Sequence, residues 1–259
     1  MKRLFIIFIA LGLSMTATAQ TLDMTVSFSL PLTSAGAALD QMFCSVQAKT
    51  VIQGWQMSGQ LDLALMPMAM KQLILITQGE FAGFTVVDQS IIDPKGTFRD
   101  QTTVSTQYAG LTLSATFAYS YTLLPEFTFS FDSVTIGAST RTLEGVLLAS
   151  ATTMTLQGFA KQAFTMGFSV QGVSITRKTE LTSSGLSQEI WQMALRVQEW
   201  SLTRTTVYTL EGFTSDTLSI SRQFRDYLFV GTTVFSKAGW TQTLTIGWMA
   251  KGLSLGLGF

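Results

Sequence analysis

The chain has 259 residues, 16 basic and 16 acidic side chains, no His and one Cys. Charged residues make up only 12% and hydrophobic residues 47%, about half the charge of an ordinary soluble protein. This balance gives no electrostatic basis for nucleic-acid binding. It also excludes an internal disulfide and supplies neither the commonest metal ligand nor the usual general base.

Residues 1–19 read as a secretory signal. Lys2 and Arg3 form the charged start, Leu4 to Leu13 the apolar run, and Ala17, Thr18 and Ala19 the small-residue cleavage site. Ten apolar residues are too few to cross a bilayer, which needs about 20. Removing Lys2 and Arg3 leaves 14 basic against 16 acidic groups. Gln20, not a Cys, stands directly after the cleavage site, so no lipid anchor is expected there. Residues 20–259 read as one all-β domain.

Leu22, Met24, Val26, Phe28 and Leu30 alternate with polar residues, as in a half-buried strand, and Pro31 is expected to close it. Between 34 and 48, Leu39, Met42, Phe43 and Val46 fit helical spacing behind Ser34, which allows a short helix or plug. The apolar stretch from Leu61 to Thr77 is interrupted by Asp62, Pro67, Lys71 and Gln72, so it is not a membrane helix. From Val51 onward strand follows strand. Phe84 and Leu111 each follow a Gly, and Asp93, Pro94, Lys95 and Gly96 spell a turn. Leu111, Leu113, Ala115, Phe117, Tyr119 and Tyr121 alternate, and Phe127, Phe129 and Phe131 begin another strand. The segment from Ser187 to Trp200 has helix-favouring composition. Its Trp191, Met193, Leu195 and Val197 nevertheless alternate, in the places held by Phe164, Met166, Phe168 and Val170 one repeat earlier.

That repeat is 27 residues long. GVSITRKT from Gly172, EWSLTRTT from Glu199 and DYLFVGTT from Asp226 are copies, and GLSLGLGF from Gly252 is a truncated fourth. At this spacing the chain holds about 16 strands of roughly ten residues. The expected fold is an antiparallel up-and-down meander, closed into a barrel to remove its edges. The alternative is a β-sandwich or an extended sheet.

Folding a hairpin about Gln171 and Gly172 sets Val170 opposite Val173, Phe168 opposite Ile175, and Met166 opposite Arg177. The next hairpin sets Val197 opposite Trp200, Leu195 opposite Leu202, and Met193 opposite Arg204. One face is then apolar and the other a field of Ser and Thr. In a membrane barrel the apolar face meets lipid and the hydroxyls line the lumen, with Trp200, Tyr227 and Trp240 in aromatic girdles. Arg177 and Arg204 fall on the apolar face, where an Arg at mid-bilayer costs about 2 to 4 kcal/mol. They are therefore expected to be paired in a core, or turned into a lumen by bulges. Arg141 and Arg222 read as interfacial or turn-paired, with a lumen-lining role as the alternative.

Leu253, Leu255, Leu257 and Phe259 alternate to a terminal aromatic. This resembles the C-terminal β-signal of bacterial outer-membrane β-barrel proteins, with Leu257 standing where that signal usually has a second aromatic. The resemblance implies outer-membrane lipid and the outer-membrane assembly machinery as partners, and a role as a pore or structural envelope protein. The alternative is a periplasmic or extracellular sheet protein that binds a partner through its Ser/Thr face. No catalytic, cofactor-binding or metal-binding constellation is present, so the chain is read as a non-enzyme. Nothing in the sequence sets an oligomeric state.

Overall fold

The computed structural model describes residues 22–33, 36–38, 41–65, 68–122 and 126–253. The first strands are β1 (Leu22–Thr33), the two-residue bridge β2 (Gly36–Ala37), β3 (Phe43–Ile52), β4 (Trp55–Leu65), β5 (Met68–Phe81) and β6 (Phe84–Ile92). They continue as β7 (Thr97–Tyr108), β8 (Leu111–Thr122), β9 (Thr128–Arg141), β10 (Leu147–Thr155), β11 (Gly158–Val170) and β12 (Val173–Thr182). The last are β13 (Gly185–Val197), β14 (Trp200–Thr209), β15 (Gly212–Phe224), β16 (Tyr227–Ser236) and β17 (Gly239–Leu253). Every long strand pairs antiparallel with the next, and β17 returns to pair with β1 from Thr241 to Leu253. The sixteen long strands thus form a closed up-and-down barrel, without a free sheet edge.

The hairpin registers read from the sequence hold. Met166 faces Arg177 and Met193 faces Arg204 across their ladders. The segment of helix-favouring composition is β13. Two expectations are corrected. Residues 43–48 belong to β3, not to a helix or plug; Phe43 points to the polar side and lies under the Lys71 ammonium at 4.8 Å, which hid the alternation. Pro31 does not close β1, which runs on to Thr33 with Pro31 opposite Thr243. By then the β1–β3 ladder has ended at Ser29, so the missing N–H interrupts no bond on that side.

The 27-residue unit has a mechanical basis. A ten-residue strand, a two-residue connection, a thirteen-residue strand and a two-residue turn make up residues 173–199 and again 200–226. The two rims use different turns. At the first rim, where β1 begins, Gln53–Gly54, Ala82–Gly83, Ala109–Gly110 and Gln171–Gly172 have positive φ at both residues, the type I′ signature. At the second rim a hydroxyl residue precedes two connecting residues and a positive-φ Gly, as in Thr182 to Gly185, where the Thr182 hydroxyl donates to the Gly185 carbonyl. Beyond this Gly, one residue is squeezed out of the ladder, at 160, 187 and 214 in successive units. Each bulge resets the parity and makes the unit an odd number of residues.

The wall is a single layer with no conventional core. Among the described residues only Cys44, Leu73 and Ala163 are buried apolar side chains. Ladder partners share a face, so one residue fixes its whole ring. Phe28, Ile246, Phe229, Arg222, Trp200 and Val197 follow one ring on the outward side, with Phe28 half exposed. Ser29, Thr245, Val230, Ser221 and Ser201 follow the inward one.

Candidate functional site

The inward face is the chemically distinctive surface. Between β14 and β17 it carries Ser201, Thr203, Thr205, Thr217, Ser219, Ser221, Thr232, Thr243 and Thr245, relieved by a few Val. Hydroxyl pairs bridge neighbouring strands, as Ser29 with Thr245 at 2.8 Å and Thr103 with Thr116 at 2.8 Å. Such a face is wettable between β14 and β17; on β5 and β6 the inward side also carries Ile74, Ile76 and Ile91.

Two charged clusters break this neutral lining near the second rim. On β12, the Lys178 ammonium lies 2.6 Å from Glu180 Oε1 and the Lys161 ammonium 3.3 Å from it. Gln188 donates its side-chain N–H to Glu180 Oε2 at 2.7 Å. One carboxylate thus serves two ammoniums, and the cluster keeps one net positive charge. On β4, Asp62 accepts from Gln60 at 2.9 Å and from Gln72 at 2.7 Å, and Gln47 donates to Gln60 at 2.8 Å. Amides, not ammoniums, hold this buried carboxylate. In ring order β4 is the third long strand and β12 the eleventh, so the clusters stand half a circumference apart, on opposite walls. Arg99 lies on the same inward side, opposite Ile91 and Ser120.

No sequence motif marks these clusters, yet part of the signal is there. The hairpin register that puts Met166 opposite Arg177 also puts Ala163 opposite Glu180 and Thr165 opposite Lys178. Asp62 pairs with Ser45 on β3, a stretch whose spacing allowed a helix.

The structure places Arg177 and Arg204 in the outward row, not in the lumen. The bulges of their hairpins lie beyond them and leave their parity unchanged. Each has a carboxylate partner on the next strand. Arg177 Nε is 3.0 Å from Glu189, held by charge rather than by a directed hydrogen bond, and its guanidinium stacks on Trp191 at 5.3 Å. Arg204 donates to both oxygens of Asp216, at 3.1 and 3.0 Å, and Thr206 donates to the same carboxylate. Arg222 pairs with Glu199 at 3.2 Å beside the first rim. Trp200, Tyr227 and Trp248 lie outward at that rim, and Tyr208, Phe235 and Trp240 outward at the other. Backbone pairing takes Leu253 into β17 opposite Leu22; Leu255, Leu257 and Phe259, like the signal at 1–19, lie outside the described residues. Among the described residues no group of three metal-ligating side chains forms.

No family model and no curated protein matches the sequence. Solved structures do match in fold. A mutant of the Rhodopseudomonas blastica porin aligns over 89% of this chain and 99% of its own, with a TM-score of 0.57 and 10% identity. A second mutant of that porin aligns with the same coverage, TM-score and identity, and a triple mutant with a TM-score of 0.56 and 11% identity. The fold is porin-like. At this identity the likeness extends to the barrel and its strand number, not to any residue of the lumen.

Proposed function

We propose that this protein is a non-enzymatic outer-membrane β-barrel that acts as a diffusion pore. The observation that carries the reading is the division of faces over most of the ring, with large apolar and aromatic side chains mainly outward and Ser, Thr and Gln mainly inward; β6 and β7 depart from it, with Asp88 and Asp100 outward and Ile91 inward. An apolar outer wall of this extent needs a cover that water does not provide. Closed barrels and helices are the structures that satisfy their backbone within lipid. Sixteen strands spaced about 4.8 Å and tilted about 40° give a circumference of about 100 Å, and barrels of this size leave an aqueous channel. The porin-like neighbours support the same reading. In it, residues 1–19 direct export, and Leu253, Leu255, Leu257 and Phe259 present the terminal strand to the assembly machinery. The Ser/Thr face lines the channel and is not offered to an external partner.

Cell fractionation, migration of the unboiled protein in detergent gels, and planar-bilayer recording test this together. The protein is expected in the outer-membrane fraction, with heat-modifiable mobility and stepwise ion conductance. Recovery in the soluble periplasmic fraction without detergent would overturn the location. A folded, inserted barrel that fails to conduct would be a structural envelope protein. Deleting Phe259 is expected to reduce the assembled barrel without reducing synthesis.

A further inference from the structure

We infer that the lumen wall of β9 to β12 holds a binding site for a small hydroxylated carboxylate, of the sugar-acid class. The inference rests on the pore reading above and names a solute for it. A row of small inward residues crosses this wall. Ala163, Ala151 and Gly137 are ladder partners in turn, with Glu180 on β12 at one end and Ser114 on β8 at the other. The neighbouring row toward the second rim is taller and runs Lys161, Thr153, Thr135 and Thr116. The neighbouring row toward the first rim begins with Lys178 and Thr165. Between them lies an inward recess of about 220 Å³, bordered by Thr135, Thr153, Thr165 and both lysines. That is several times the ~30 Å³ that a water occupies in the liquid. Gly137 keeps the floor low, because a Cβ there would come within 2.9 Å of Ser114 Oγ.

The charges of the recess are not balanced. Glu180 meets both ammoniums at Oε1 and accepts from Gln188 at Oε2, so this buried carboxylate is fully engaged. Each ammonium has three N–H groups and directs one at Glu180. The Lys161 and Lys178 side chains remain 43% and 39% exposed, with their other donors free for the lumen. Asp132 on β9 lies three residues nearer the second rim than Thr135 and accepts from Ser120 at 3.2 Å. Asp62 stands on the opposite wall. One net positive charge therefore borders the recess, and one carboxylate of a solute balances it through charge-assisted hydrogen bonds from two sides. The trough sets the rest of the solute. Thr135 and Thr153 share a hydrogen bond of 2.8 Å, so one hydroxyl proton of the pair is free to donate to a guest and both oxygens can accept. A short hydroxylated chain laid along the row finds these partners on its flank and only Ala and Gly beneath it. An inorganic anion uses the lysine end alone, and an apolar acid leaves the hydroxyls without partners.

The test reads binding and passage separately, with gluconate as the probe. Calorimetry on the full-length barrel in mild detergent is expected to show one gluconate site per chain. In a planar bilayer, gluconate is expected to block the chloride current saturably. Sorbitol, which lacks the charge, and phosphate, which lacks the chain, are expected to bind about tenfold more weakly. Lys178→Gln is expected to weaken gluconate about tenfold, as loss of one charge-assisted bond does. Gly137→Val fills the trough without changing its charge and is expected to weaken gluconate but not phosphate. Ala151→Val fills it from the next strand, should Gly137→Val fail to assemble. Absence of gluconate binding, equal affinity for phosphate, or unchanged affinity in Lys178→Gln would overturn the site. Filling variants that bind gluconate as before would overturn it too, leaving only a diffuse positive field. Binding by a barrel that does not conduct removes only the pore, and conduction without binding removes only the site.

Discussion

Gly79 lacks a side chain because the Trp55 indole lies where its Cβ would be. The two face each other on the outer wall of β4 and β5, one strand position from the first rim. Gly79→Ala forces the ring aside, and overpacking of this kind costs about 1 to 3 kcal/mol. Denaturant unfolding in micelles should show the loss, together with a shift in Trp fluorescence. A second residue-scale prediction concerns acid. Asp93 accepts the backbone N–H of Thr97 at 3.0 Å and of Lys95 at 2.8 Å. These bonds, the Thr97 one foremost, hold its carboxyl below the ordinary value. A lowered folded-state value favours folding above the ordinary carboxylate range, and the contribution fades as pH falls through the lower value. Asp93→Asn should therefore lose that acid-range slope in thermal unfolding while keeping the turn.

At the scale of the strand pair, Gln198 has φ of 53° where its counterpart turns place Gly second, and Glu199 does not share the left-handed conformation. A non-glycine residue there costs about 1 to 2 kcal/mol, and glycine's extra unfolded-state freedom takes back about 0.4 to 1 kcal/mol. Gln198→Gly should then stabilise the barrel by about 0.5 to 1 kcal/mol, measured as a higher urea midpoint. The first-rim hairpins were legible in the sequence because Gln-Gly and Ala-Gly are strong turn signals between alternating runs, and register follows from them directly. The second rim was legible only at the Asp93 to Gly96 turn. Its bulges at 160, 187 and 214 leave no residue-type signature, and they matter only once both strands are paired. Alternation likewise put Arg177 and Arg204 on the apolar face. Their partners Glu189 and Asp216 come from the far side of a bulge, so the ion pairs were hidden by the same device. β3 escaped notice because inward Phe43 imitates a helix position.

For the molecule as a whole, stability comes from a continuous hydrogen-bonded ring rather than from a packed interior, so the lumen can change charge without losing a core. Glu180→Gln raises the Lys161–Lys178 cluster from one net positive charge to two. In the pore reading, the reversal potential across a salt gradient should move toward anion preference, and the barrel should still fold. The repeat has a further consequence: it makes girth a countable quantity. Residues 173–199 contain one whole hairpin with its bulge and both turns. Excising them joins Gly172 to Trp200, and Val170 then faces Trp200 as Val197 does in the intact ladder. Inward and outward rows stay in phase across the join. The shortened chain should close as fourteen strands, about one-eighth narrower, because diameter grows nearly linearly with strand number. Single-channel conductance should fall by more than that fraction, since it follows cross-section. A barrel of this kind can be resized by the residue, in steps of 27, as a chain is shortened by removing links.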